Sequence, residues 1–176
     1  MSGQYVKFRI AGEQNFEAVE HIIQAFIAEA QGAPQRSDED WLALFGDESK
    51  AYFWWPTPQE EDEWKATWFG TPYQQRHLLL PTRWDFGSLI ETVKNNEWEL
   101  LGVSRSDDGT AIISFVSHAY PFGGTGCLVA IAEALGHEVI ERDDGTGLEH
   151  YKTITEYWAS AHGKTSPEKP WWKFWR

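Results

Sequence analysis

The chain has 176 residues, 41% hydrophobic and 15% aromatic, enough apolar material for one packed domain or two small halves. Its formal net charge of −12 repels phosphates and argues against a nucleic-acid-binding body. The lone cysteine, Cys127, excludes an intrachain disulfide. No apolar run of about 18 residues spans a bilayer, and Met1 to Tyr5 does not open a signal peptide. A cytoplasmic protein is the expectation.

Tyr5 to Ala11 alternates apolar and polar side chains and reads as a strand with one solvated face. Phe16, Val19, Ile22, Ile23, Phe26, Ile27 and Ala30 recur at helical spacing, and Gly32 ends that helix. Ser37-Asp38-Glu39-Asp40 resembles a capping box and opens a short helix through Trp41, Leu42 and Phe45. Ala51 to Trp55 is aromatic enough for a buried strand. Thr57-Pro58-Gln59-Glu60 combines a cap, a proline at the first helical position and an acid at the third. The helix it starts places Trp64 and Trp68 four apart, on one face.

His77 to Leu80 is predicted to be a strand, followed by a helix capped by Asp85 and bearing Phe86, Leu89, Ile90 and Val93. Glu97–Ser104 and Ala111–Ser117 are predicted strands joined by a turn at Asp108-Gly109, where glycine supplies the positive φ. The apolar run of the second strand places this hairpin centrally in the sheet. Leu128 to Leu135 is a helix ended by Gly136, and His137 to Glu141 a strand. Tyr151, Ile154 and Trp158 mark a last helix, to about Ala161. The fold class is therefore α+β, a mainly antiparallel sheet with helices on one face. Over residues 77–142 the order is β-α-β-β-α-β, which resembles ferredoxin-like domains and implies no particular activity. Residues 1–163 form one domain, or two packed halves at 1–75 and 76–163, and residues 164–176 are a basic, Trp-rich tail.

The sharpest local motif is Tyr120-Pro121-Phe122-Gly123-Gly124-Thr125-Gly126-Cys127, between a strand and a helix. Gly123, Gly124, Thr125 and Gly126 suit either a tight strand-to-helix turn capped by Thr125 or a small anion held by helix-start N–H groups. Neither nucleotide fingerprint is present, and no lysine stands nearby. Cys127, in the first helical turn, is either a small buried hydrophobe or a nucleophile with His118 as base and Asp143 as orienting acid. His21, His77, His118, His137, His150 and His162 stand singly without metal-ligand spacing, so neither a metal nor a cofactor is expected.

Eleven tryptophans serve as core filling or as binding surface. Glu60-Glu61-Asp62-Glu63 favours a helix start and, with Trp54, Trp55, Trp64 and Trp68 around it, forms an acidic patch rimmed by aromatic rings. In the tail, Lys164, Lys169, Lys173 and Arg176 against Glu168 give +3, which leaves −15 on residues 1–163. Its Trp171, Trp172 and Trp175 are candidates for docking on the acidic body, on a second copy in a homo-oligomer, on a partner, or on a membrane interface. The leading expectation is a non-enzymatic module that binds a basic protein partner, an inhibitor or immunity-type antagonist being one concrete form. The alternatives are a small hydrolase or transferase at Cys127 and His118, and a peripheral membrane protein acting through the tail.

Overall fold

The computed structural model describes residues 4–79, 84–95, 97–118, 125–145 and 148–150. Strand β1 (Gln4–Arg9) leads through Gly12 into α1 (Glu13–Ala30), whose buried stripe is Phe16, Val19, Ile22, Ile23, Ala25 and Phe26. Two short helices follow, α2 (Asp38–Ala43) and α3 (Asp47–Lys50). The predicted capping box forms at α2: Ser37 Oγ accepts from the Asp40 N–H at 3.1 Å, and the Asp40 carboxylate accepts from the Ser37 N–H. Behind that cap the Trp41 ring is driven fully into the core, 4.3 Å from the Phe26 ring centroid.

Of the strand expected over 51–55, only β2 (Phe53–Trp54) forms. It pairs in parallel with β3 (Trp84–Asp85), while α4 (Pro58–Gly70) and a 3-10 helix (Tyr73–Leu79) loop out between the two. The strand expected at residues 77–80 is thus corrected: 77–79 belong to the 3-10 helix. Pro72 fixes the entry, its carbonyl accepting from the Gln75 N–H at 2.8 Å, and the following Tyr-Gln-Gln-Arg lacks the alternation a sheet rewards. Asp85 caps α5 (Phe86–Lys94) as expected, its Oδ1 accepting from the Ser88 N–H at 2.6 Å. Phe45, Phe53 and Phe86 meet edge to face at centroid separations of 5.1 to 5.7 Å and tie this excursion to the core.

The main sheet is antiparallel, in the order β4-β5-β1-β6-β7, with β4 (Trp98–Arg105), β5 (Thr110–Ser117), β6 (Glu138–Asp143) and β7 (Leu148–His150). The ferredoxin-like order expected within 77–142 does not form there, because the central strand comes from the start of the chain. Val6 and Phe8 are wholly buried on β1, which takes ladder bonds from both sides. The 98–117 hairpin accordingly runs to the sheet's edge, with β4 outermost among the described strands. Gly109 (φ 79°) makes its turn, and Gly102 (φ 133°) absorbs the bulge after Leu100.

Helix α6 (Thr125–Ala134) starts three residues earlier than its apolar run suggested, and packs with α1 on the same face of the sheet. That face presents Val6, Phe8, Ala111, Ile113, Phe115 and Val139; the opposite face leaves Leu101 and Val116 exposed. One cluster of buried side chains runs from Val6 to Val139 and draws on residues from both sides of position 75. The last expected helix and the 164–176 tail lie outside the described residues.

Candidate functional site

Helix α4 departs from every other long helix. Its thirteen residues include Trp64, Trp68 and Phe69, yet none of the thirteen is buried. A helix normally hides its large rings against the core, since burial of such a side chain is worth about 1.5–3 kcal/mol. Local chemistry holds this one in place instead. Thr57 Oγ1 accepts from the Glu60 N–H at 3.3 Å, and Glu60 Oε2 accepts from the Thr57 N–H at 2.8 Å. The Thr57 N–H and the Thr57 hydroxyl, both donating to Glu60 Oε2, keep the Glu60 carboxyl below its ordinary range. Pro58 occupies the first turn, where no N–H is missed. Glu60, Glu61, Asp62 and Glu63 gather where the helix dipole is positive, and Lys65 pairs with Glu61 one turn on.

The rings then stack on one another rather than on the core. Trp64 and Trp68 lie nearly parallel, 18° apart with centroids at 5.3 Å, and Trp54 from β2 tilts against Trp64 at 5.4 Å. Arg76, from the 3-10 helix, holds its guanidinium 5.5 Å from the Trp68 ring, 5.8 Å from Phe69 and 6.0 Å from Tyr73. Its Nε donates to the Thr71 carbonyl at 3.1 Å, which fixes that pose. Phe69 and Tyr73 remain 71% and 80% exposed. The result is a half-buried Trp64–Trp68 stack with exposed Phe69 and Tyr73 near it, met by the Arg76 guanidinium, on a helix whose first turns carry Glu60, Glu61, Asp62 and Glu63.

Of the expected partner-binding residues, Trp54, Trp64 and Trp68 come together, and Glu60 and Glu61 sit on the same helix. Trp55 turns elsewhere, meeting the Phe86 ring edge-on at 5.6 Å, although it is 40% exposed. Trp171, Trp172 and Trp175 lie outside the described residues. Phe69, Tyr73 and Arg76 join this cluster without having been among the expected residues. The signal available for them was Pro72, which favours a turn bringing residues 73–76 back to the end of the helix.

The second candidate site comes apart. Gly123 and Gly124 lie outside the described residues. Thr125 is buried, its hydroxyl without a hydrogen-bond partner among the described residues. Gly126 faces the indole of Trp84, so its missing side chain admits a ring. Cys127 is buried, with Sγ 3.7 Å from Thr92 Oγ1. The Thr92 hydroxyl already donates to the Ser88 carbonyl at 2.8 Å, which leaves the thiol as the donor to Thr92. Burial pushes the thiol pKa up, the reverse of what a nucleophile requires and of the lowering expected from the helix start. His118 is exposed at the end of β5, its backbone N–H donating to the Glu97 carbonyl, and Asp143 Oδ1 accepts from the Gly145 N–H at 2.8 Å. No hydrogen bond joins Cys127, His118 and Asp143 among the described residues.

Among the described residues no group of three or more His, Cys, Asp or Glu side chains is placed to hold a metal ion, and no helix is long and apolar enough to cross a membrane. No family model, curated protein or solved structure matches the chain.

Proposed function

We propose that this chain is a protein-binding module whose contact surface is the outer face of α4 with the 3-10 helix behind it, and whose partner is basic. One observation carries the reading: a helix held by its caps and its own ring stacking, with no buried residue, that exposes Phe69, half-exposes Trp64 and Trp68, and carries Glu60–Glu63 in its first turns. Aromatic rings dominate binding hot spots, because they remove much surface from water at little entropic cost. An acidic rim adds steering and selects against acidic partners. Arg76 shows the face already accommodating a guanidinium, so arginine or lysine side chains of a partner have rings to lie on. An inhibitor of a basic protein is one role that fits, and the reducing cytoplasm suits a chain with a single thiol.

The test is affinity capture with the 176-residue chain and its Trp68→Ala/Phe69→Ala variant, at about 0.1 M and about 1 M salt, where the Debye length falls from about 10 to about 3 Å. A basic partner retained by the parent, weakened by salt and lost by the variant is the expected result. Equal retention by parent and variant would remove α4 from the interface.

A further inference from the structure

Arg76 is seated but not paired. The rings of Trp68, Phe69 and Tyr73 surround its guanidinium, with centroids 5.5 to 6.0 Å from Cζ, and its Nε donates to the Thr71 carbonyl. Thr71 is itself held at the end of α4, its N–H and its hydroxyl both donating to the Thr67 carbonyl. Neither Nη1 nor Nη2 of Arg76 has a hydrogen-bond partner among the described residues. Acids outnumber bases 27 to 15 in this chain, and Arg9, Arg36 and Arg105 each reach a glutamate. Arg76 departs from that pattern. The informative comparison is Arg105, whose guanidinium lies 5.4 Å from the Phe16 centroid while its Nη1 donates to both carboxylate oxygens of Glu13, at 2.8 and 2.7 Å. Ring, cation and carboxylate meet there, whereas no acid of the described chain completes the cluster at Arg76. We propose that the partner completes it: Arg76 is the seat of an aspartate or glutamate side chain carried by an otherwise basic partner segment. The proposal rests on the binding face argued above and specifies what that face reads.

A single carboxylate is the group that fits. The rings and the Thr71 carbonyl fix the guanidinium before binding, so its planar fork loses little freedom on pairing. Arg76 is half-buried, which raises a charge-assisted, bidentate bond above the worth of an ion pair in open water. Phosphate suits the seat less, because Glu60 to Glu63 on the same helix repel a second negative charge. Partner cations are left to that acidic end of α4, and the spacing between the two ends describes the partner. Glu61 and Phe69 stand eight residues apart in the helix, roughly 12 Å at 1.5 Å each. A segment that sets lysine or arginine against the acids and its own acid on Arg76 separates the two by about that distance, about four residues when extended.

The experiment titrates the isotope-labelled whole chain with synthetic peptides, read by NMR through the Arg76 Nε–H and the tryptophan indole signals. The probes are end-blocked Lys-Lys-Ser-Ala-Leu-Glu-Leu, the same peptide with glutamine for glutamate, and the glutamine peptide with a free carboxyl terminus. The glutamate peptide should shift the Arg76 Nε–H and bind the parent about fivefold more tightly than the blocked glutamine peptide. Arg76→Ala should bring those two peptides to equal affinity. Arg76→Lys, which keeps the charge without the fork, should restore only part of the preference, with circular dichroism unchanged in both variants. A preference that survives in Arg76→Ala, or no binding of any peptide at millimolar concentration, overturns the seat. Equal affinity of the glutamate and blocked glutamine peptides for the parent, with both weakened in Trp68→Ala/Phe69→Ala, overturns the seat and leaves the binding face standing. A gain from the free carboxyl terminus larger than that from glutamate overturns the side-chain assignment. Inorganic phosphate that displaces the glutamate peptide better than acetate, at equal ionic strength, overturns the choice of carboxylate.

Discussion

The indole of Trp84 lies across the Cα of Gly126, close enough that a Cβ there would stand 2.7 Å from the ring. The two residues belong to different layers: Trp84 pairs in the small parallel sheet, and Gly126 sits in the first turn of α6. At Gly126, then, the glycine of the Gly-rich motif is accounted for by a ring packed against a helix rather than by a ligand.

Gly126→Ala should therefore destabilise the fold by about 1–3 kcal/mol, the usual cost of forcing extra volume into a packed contact. Trp84→Ala alone loses the ring's own packing. The double variant should be less unstable than the sum of the two, since the methyl group then enters vacated space. Urea unfolding of the four proteins measures the coupling, and strict additivity would show that the ring and the glycine do not confront one another.

His137 gives the fold a pH dependence. It is 4% exposed, its ring is 4.8 Å from that of Phe8, and its Nδ1 accepts from the Ala11 N–H at 3.1 Å. Burial lowers its pKa from the ordinary 6.5. As pH falls, the unfolded chain takes up this proton before the native one, so the contribution is complete above 6.5 and is lost as pH drops from there through the lowered native value. Protonation of Nδ1 also removes the acceptor that Ala11 uses. Urea midpoints from pH 8 to pH 5 should fall, and His137→Asn, which keeps an acceptor near the Nδ1 position, should flatten that fall. An unchanged slope in the variant would locate the titration elsewhere.

Cys127 should behave as a hydrophobe. In the native chain its thiol should resist a disulfide-exchange reagent at pH 8 and react only on unfolding, since the thiolate is the reactive form and burial disfavours it. Cys127→Ala should cost about 1 kcal/mol and should leave partner capture intact. Rapid modification of the folded chain would restore the thiol as a candidate nucleophile.

What was legible in the sequence was local. Ser37 with Asp40, Thr57 with Glu60, and Asp85 each announce a helix start within four residues, and each cap forms. Asp108-Gly109 fixes its hairpin for the same reason, since a positive φ is a one-residue demand. Pairings across long separations were not legible. Nothing in Phe53-Trp54 names Trp84-Asp85 as its partner, and nothing in Tyr5 to Arg9 says that it will divide β5 from β6. Those choices depend on which apolar faces meet after collapse, and many registers satisfy the same alternation. The site was half legible. Spacing put Trp64 over Trp68, but the same rings at the same spacing suit a buried stripe. Only the packing of α1 and α6 against the sheet and of α5 against α1 and α2, with none of α4 buried, decides that they stack half-exposed on one another.

That exclusion separates stability from binding at α4. Phe69 and Tyr73 are mostly in water, so Phe69→Ala and Tyr73→Ala should each change unfolding free energy by no more than about 0.5 kcal/mol. Trp64→Ala removes two ring contacts, to Trp54 and Trp68, each worth about 0.5–1.5 kcal/mol, and should cost more than either. Arg76→Ala should loosen Phe69 and Tyr73 with a similarly small loss of stability, because an exposed cation–π contact contributes about 0.5–1 kcal/mol. Binding should rank differently. Alanine at Phe69 or Tyr73 should weaken partner capture tenfold or more, as a hot-spot truncation of about 2 kcal/mol does. Thermal melts of the same proteins, run beside the binding assay, distinguish the two quantities. If Phe69→Ala lowers stability by more than about 1.5 kcal/mol, its ring is part of the core and α4 is an ordinary packed helix. If Phe69→Ala and Tyr73→Ala melt like the parent and only capture fails, the outer face of α4 is the surface this chain presents to its partner.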